Sequence, residues 1–294
     1  MSAGTPPPEI VIDVALVRAL LESQHPDLGD LPLKHVESGW DNDMFRLGDD
    51  LAVRLPRRAQ AAPLIESEQI WLPRIADNIT LPAPIPLRKG AAMGRYPWAW
   101  SVVPWLAGET ADLSPPAADQ APIFAEFLKA LHQPAPLDAP RKPSRGVPLV
   151  DLKDIAEERL GQLSNDTPAI PDIIPDIWSQ ALAAPAASKR RWLHGDLHAR
   201  NVLVQSGKIS GIVDWGDMTN GDVATDLGSV WGLFADKAAR KTVLNDYGAT
   251  DSQISRARGW ATLIGAVLLL TGRVDNPRHA EMGRLTLERL AEDA

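Results

Sequence analysis

His194-Gly195-Asp196-Leu197-His198-Ala199-Arg200-Asn201, continued by Val202-Leu203-Val204 and, after a turn, by Ile212-Val213-Asp214-Trp215-Gly216-Asp217, decides how the rest of the chain is read. It reads as a phosphoryl-transfer centre. Such a centre needs a carboxylate beside the attacking hydroxyl, and an Asn and a second Asp to hold Mg²⁺ against nucleotide phosphates. Asp196, Asn201 and Asp214 fit those places. Asp196 to Asn201 crosses a tight loop, so both side chains can turn toward one point. Val202 to Val204 reads as a short buried strand, Gln205-Ser206-Gly207-Lys208 as a turn and Ile209 to Val213 as the returning strand, a hairpin that delivers Asp214 beside Asn201. Magnesium usually takes only one or two carboxylates and leaves its other positions to phosphate and water, so one carboxylate and one amide suit it.

At these residues the chain resembles the aminoglycoside phosphotransferase family, the protein-kinase-like, choline kinase-like branch of small-molecule kinases, in which HGD stands where protein kinases carry HRD. The resemblance implies an α+β protein-kinase-like fold of two lobes. Residues 1–103 would form a nucleotide-binding lobe, an antiparallel sheet plus a helix. Residues 104–294 would form a mainly helical lobe for catalysis and substrate. It also implies ATP- or GTP-dependent phosphorylation of a small-molecule hydroxyl. His194 would brace the catalytic loop, Asp196 would orient the acceptor hydroxyl and accept its proton, and Asn201 and Asp214 would bind magnesium.

Upstream, Leu33 to Ser38, Met44 to Leu47 and Leu51 to Leu55 alternate or run apolar at strand length, with turn residues between them. The first turn falls where a kinase-like enzyme folds a loop over phosphates, which makes Ser38, Gly39, Trp40, Asp41 and Asn42 candidate nucleotide contacts. Only Gly39 in it is glycine. The third strand, Leu51-Ala52-Val53-Arg54-Leu55, carries Arg54 where the kinase pattern calls for a lysine. Arginine keeps the charge but presents a planar, two-pronged donor in place of a compact ammonium. A helix over about residues 59–77 offers Glu66 and Glu68 as partners for it, and Glu68-Gln69-Ile70-Trp71-Leu72-Pro73 looks like the family's E-x-x-W-L-P run, which selects Glu68. In Trp100-Ser101-Val102-Val103-Pro104-Trp105-Leu106, an apolar strand runs into a connection at the position of the kinase hinge. Val103, the Pro104 carbonyl and the Leu106 amide are the candidates there for an adenine edge, since Pro104 has no N–H of its own.

With 294 residues, 45% of them hydrophobic, the chain has enough material for two cores. The absence of cysteine excludes disulfides, thiolate nucleophiles and Cys-ligated metals. The run Trp260 to Thr271 is too short to cross a bilayer and reads as a buried helix. Met1 to Pro8 lacks the basic and apolar parts of a signal peptide, so the expected compartment is the cytoplasm. A formal charge of −8 argues against a nucleic-acid partner.

Helices are expected over Ile123 to His132, Asp151 to Leu163 and Asp172 to Leu182. The last two would form, by the resemblance, one wall of the acceptor site. His132 reads as core, Trp215 as packing, and Asp226 resembles the family aspartate that supports the catalytic loop from below. The acidic balance, with Asp196, Asp214, Asp217 and Asp222 close in sequence and Glu157 and Glu158 nearby, points to a cationic acceptor. An aminoglycoside-type antibiotic is the leading expectation, so the protein reads as a resistance kinase. A macrolide sugar or a metabolic alcohol is the alternative within the enzyme class. Arg54 and the glycine-poor loop are what favour a nucleotide-binding protein without turnover.

Overall fold

A computed structural model describes residues 6–164 and 170–294. Met1 to Thr5 of the N-terminal stretch lie outside the described residues. The chain divides into two compact units. The first runs from the start of the described chain to Asp77 and includes Pro82–Ala107. The second comprises Asn78–Leu81 and Gly108–Ala294.

In the first unit, helix α1 (Val14–Gln24) is followed by strands β1 (Leu33–Ser38), β2 (Asn42–Leu47) and β3 (Leu51–Pro56), helix α2 (Ala62–Ile75), and strands β4 (Arg88–Gly90) and β5 (Trp100–Pro104). The strands form one antiparallel sheet in the order β1-β2-β3-β5-β4. Asp13 caps α1 by accepting the Leu16 amide at 2.7 Å. Leu16, Val17, Leu20 and Leu21 of α1 then pack with Phe45, Leu47, Val53, Leu55, Trp100 and Val102 in one core. Because successive strand residues alternate faces, Ala52 and Arg54 point away from that core. Arg54 lies opposite Met44 on β2 and Ser101 on β5, where α2 supplies Glu68 and Gln69. The Gln69 amide donates to the Trp100 carbonyl at 2.8 Å and to Ser101 Oγ at 3.0 Å, which fixes α2 on the sheet. Helix α1 was not read from the sequence. Its apolar residues are followed closely by polar Glu22, Ser23 and Gln24, and the segment is short.

The second unit begins with β6 (Glu109–Thr110) and α3 (Ala121–Leu131), then α4 (Lys153–Ser164) and α5 (Ile174–Ala183). Short strands β7 (Arg191–Leu193), β8 (Val202–Gln205), β9 (Lys208–Ile212) and β10 (Thr219–Gly221) follow. Five helices close it: α6 (Ala224–Leu227), α7 (Ser229–Leu233), α8 (Lys237–Tyr247), α9 (Asp251–Asp275) and α10 (Pro277–Glu292). The β8–β9 hairpin turns at Ser206 and Gly207, both with positive φ (51° and 79°), the conformation a two-residue hairpin turn demands. Its far side pairs with β6, and β7 pairs separately with β10. The run Trp260 to Thr271 lies inside α9, and no described helix is long and apolar enough to cross a membrane.

Helix α10 folds back on α9 through glycines. A Cβ at Gly272 would lie 2.1 Å from the Ala280 amide nitrogen, and one at Gly283 would lie 2.4 Å from the Leu269 nitrogen and 2.5 Å from the Gly265 carbonyl oxygen. The two backbones therefore approach too closely for any side chain between them. Gly283→Val should force the helices apart and destabilise the second unit by about 1–3 kcal/mol, the usual range for overpacking a tight interior. A calorimetric melt should show the midpoint several degrees lower, and an unchanged midpoint would contradict this packing.

Candidate functional site

Strand β7 ends at Leu193 and delivers His194, Gly195 and Asp196 into a loop held from beneath by one carboxylate. Asp226, fully buried in α6, accepts the His194 amide on Oδ2 at 2.7 Å and the Gly195 amide on Oδ1 at 2.9 Å. His132, at the end of α3, reaches the same Oδ2 at 3.2 Å through Nε2, while its Nδ1 meets the Tyr247 hydroxyl at 2.9 Å. A buried carboxylate with two backbone donors and an imidazole is fully engaged, which offsets the cost of taking its charge from water. His132, read from the sequence as a core residue, is buried but spends its polarity on this support.

Gly195 is dictated by the same loop. Its φ is +86°, and a Cβ there would lie 2.4 Å from the Asp217 carbonyl oxygen. The His194 ring is buried beside Trp215, with centroids 4.8 Å apart, and its Nε2 lies 3.0 Å from the Val213 carbonyl. The Asp196 amide approaches His194 Nδ1 at 3.3 Å. His194 thus links the loop to the end of the β8–β9 hairpin.

Asn201 donates its side-chain Nδ2 to the Asp196 carbonyl at 2.8 Å, and its own carbonyl accepts the Val213 amide at 2.9 Å. This second bond extends the hairpin register by one residue and brings Asp214 next to Asn201. Asp214 is exposed and takes φ 62°, ψ 66°, a left-handed conformation costly for a residue with a Cβ. Such strain turns its side chain out of the strand direction. With Nδ2 committed, the Asn201 Oδ1 remains as an oxygen donor beside a carboxylate, a donor set that fits Mg²⁺. Among the described residues no group of three or more His, Asp or Glu is placed to hold a metal ion without further ligands.

Asp196 itself meets a residue that the sequence reading passed over. Arg145 Nη2 donates to Asp196 Oδ1 at 2.9 Å, and His198 Nε2 stands 3.5 Å from Oδ2. Burial pushes the Asp196 carboxyl up, but the charges of Arg145, His198 and His194 outweigh it and hold the group well below the usual carboxylate range. Asp217 moves the other way, raised by burial and by the Asp196 charge against the pull of Arg145 and of Lys142, whose Nζ is 4.0 Å from its Oδ1. Asp222 is bridged by Arg256 at 2.6 Å in a buried pair. Of the four acidic residues expected to make a negative field here, Asp196, Asp217 and Asp222 each face a cation. Glu157 faces the exposed Lys153 at 3.9 Å, a solvated surface arrangement.

Arg200, between His198 and Asn201, makes a second unread contact. Its Nη1 lies 3.2 Å from Nε2 of His279, in the first turn of α10, and the neighbouring Arg278 bridges Asp112 at 2.7 Å. Nothing in the local sequence connects residue 200 with residue 279.

In the first unit the pair chosen from the sequence meets directly. Arg54 Nη1 lies 2.6 Å and 2.7 Å from the two Glu68 oxygens, and both residues are buried. The turn after β1 is tied to the residues following β3. Arg57 Nη1 donates to the Gly39 carbonyl at 2.8 Å, the Arg57 amide donates to the Asp41 carbonyl at 3.0 Å, and Arg58 pairs with the Asp41 carboxylate. The Gly39 amide bonds back to the Asn42 carbonyl at 2.8 Å, Ser38 Oγ sits 3.2 Å from His35 Nε2, and the Trp40 ring is partly exposed at the tip. Asn42 itself is the first residue of β2. Val103 is buried in β5, Pro104 ends that strand opposite Leu51, and Leu106 is half-buried just beyond the Trp105 amide, which donates to the Asp50 carbonyl at 2.7 Å.

The sequence profile of the phosphotransferase enzyme family matches residues 32–263. Uncharacterized protein YcbJ of Bacillus subtilis (strain 168) is 22% identical over 219 residues, covering 68% of this chain and 70% of that protein. Among solved structures, the GDP and kanamycin complex of APH(2")-IIIa aligns with a TM-score of 0.68 at 17% identity over 95% of this chain and 99% of that one. The apoenzyme of macrolide 2'-phosphotransferase MphH from Brachybacterium faecium aligns with a TM-score of 0.59 at 19% identity over 94% of this chain and 97% of that one. At these identities the structural likeness establishes a shared fold.

The contact between α10 and Arg200 depends on a neutral imidazole. Burial, then the charges of Arg200 and His198, lower His279 from 6.5 to about 4. Its depressed value means that the folded state favours the neutral ring. The corresponding stability is complete above pH 6.5 and is lost as pH falls toward 4. Urea unfolding of wild type and His279→Gln between pH 7 and pH 4 should show the wild type losing more stability on acidification. Parallel curves would remove His279 from this role.

Proposed function

The chain belongs to the phosphotransferase enzyme family, and on that premise we propose that it transfers the terminal phosphoryl group of ATP or GTP to a hydroxyl of a small molecule, with Asp196 as the catalytic carboxylate. The observation that carries the reading is the loop fixed by Asp226, which sets the Asp196 carboxylate and the Asn201 amide on one short turn beside the strained Asp214. Asp196 orients the acceptor O–H and takes its proton as the acceptor oxygen bonds to phosphorus. The bond from phosphorus to the bridging oxygen breaks, and ADP or GDP leaves. Asn201 and Asp214 would hold Mg²⁺, which when bound neutralises charge on the phosphate oxygens. The Arg54 guanidinium, braced by Glu68, would contact nucleotide phosphate. The turn from Ser38 to Asn42 would cover the phosphates, and Val103, the Pro104 carbonyl and the Leu106 amide would meet the base.

For the acceptor, an aminoglycoside draws support from the kanamycin-bound neighbour and a macrolide from the MphH likeness. A resistance role rests on the same support. A metabolic alcohol is favoured by one local observation: Arg145 and Lys142 place positive charge on the catalytic carboxylate and its neighbour, where a polyamine would be repelled.

Asp196→Asn should leave Mg-nucleotide binding intact and reduce kcat by about 10²- to 10⁴-fold, the range for losing a general base. Turnover of an identified acceptor near the wild-type rate would sink the assignment. Asp214→Ala should weaken binding of Mg-ATP or Mg-GTP as well as turnover. Titration calorimetry of wild type and variant decides it, and equal affinities would exclude Asp214 as a metal ligand.

A further inference from the structure

Arg145 is not placed beside Asp196 by chance flexibility of a loop. The segment preceding it is fastened to β10 and its flanks. Asn220 donates from its amide to the Pro140 carbonyl at 3.0 Å, and from its side chain to the Ala139 carbonyl at 2.9 Å. The Lys142 amide donates to Thr219 Oγ1 at 3.1 Å, and the Asp222 amide to the Gly146 carbonyl at 3.0 Å. Lys142 and Arg145 face each other across a small antiparallel bridge, and Gly146, at φ +68°, lies against Gly221 with no room for a side chain between them. This scaffold aims Lys142 at Asp217 and Arg145 at Asp196.

The Arg145 guanidinium is only partly used there. Nη2 donates to Asp196 and Nη1 to its neighbour's Ser144 carbonyl at 3.3 Å, while Nε is buried without a hydrogen-bond partner. Arg159 of α4 lies within electrostatic reach of Arg145. A buried N–H left unbonded is costly, and an arginine presents paired donors suited to carboxylate and phosphate oxygens. Asp217, Asp196 and Glu158 balance part of the positive charge.

We propose that Arg145, seconded by Lys142, is the anion-binding residue of the acceptor site. The acceptor then carries a carboxylate or phosphate group close to the hydroxyl that is phosphorylated. This rests on the phosphotransferase reading and names its substrate class. Engaging that anion through Nη1 and Nη2 would draw the guanidinium partly off Asp196, freeing a carboxylate oxygen for the acceptor hydroxyl. The ammonium groups of a polyamine carry no acceptor for these donors.

Matched pairs test the inference: gluconate with glucose, glycerol 3-phosphate with glycerol, and kanamycin as the polycation. With full-length protein and Mg-nucleotide, acceptor-dependent ADP and GDP release should favour the charged member of at least one pair. Arg145→Ala should raise the KM for that compound by about tenfold with a smaller change for nucleotide, and Arg145→Lys should recover part of the loss. Calorimetric titration of the same compounds gives a readout that needs no turnover. Preference for the anion should vanish in Arg145→Ala and persist in Lys153→Ala, which removes an exposed cation of α4. No preference for either charged compound, preference for kanamycin, or preference that survives Arg145→Ala would each overturn the inference. Loss of kcat in Arg145→Ala at unchanged acceptor KM would also overturn it, by assigning Arg145 to the phosphoryl group in transit. The phosphotransferase reading fails separately, if neither Mg-ATP nor Mg-GTP binds.

Discussion

The carboxylate of Asp226 is the constraint on which the loop from His194 to Asp196 depends. Two consecutive backbone amides, those of His194 and Gly195, converge on its two oxygens and help set the direction in which Asp196 leaves the strand. Consecutive amides can point to one side only if the chain turns sharply between them, and that turn is the positive φ of Gly195. The support is itself supported. His132 and Tyr247 extend the hydrogen-bonded chain from α6 to α3 and α8, so three helices hold one loop. In a low-dielectric interior such a network is strong when every member is satisfied and weak when one is lost.

The cations around this loop change what its acidity means. A chain of net charge −8 suggests a site that gathers positive ligands, but charge totals do not describe local fields. Asp222 belongs to a buried structural pair with Arg256, and Asp196 and Asp217 face Arg145 and Lys142. Asp214 is exposed where the β8–β9 hairpin ends. Most of the chain's excess negative charge therefore acts elsewhere on its surface, where screening by salt limits its reach.

What could be read in advance follows the range of the interactions. The hairpin that carries Asp214 was legible because apolar strands and a Ser-Gly turn are local signals, and β1, β2 and β3 were legible through alternation. The pairing of Arg54 with Glu68 was reachable because a motif singled out one of two glutamates. Arg145, His279 and Arg256 left no such trace. Each meets its partner across tens of residues, from a loop or helix whose own pattern says nothing about which charge it will face. Helix α1 escaped for a different reason, since its apolar face is short and its cap, Asp13, resembles any turn-forming residue. His132 was correctly placed inside, yet hydropathy cannot distinguish a packed ring from one that completes a hydrogen-bonded support.

The meeting of α9 and α10 has a consequence beyond packing. The glycines that let the two backbones touch also set where α10 begins, and its first turn carries Arg278 to Asp112 and His279 to Arg200. Helix α10 is thereby a buttress for the loop that carries Arg200 as much as a cover for a neighbouring helix. Fraying from the chain's last turns would travel toward the chemistry along a rigid rod, and tightening at that remote end would steady it by the same route.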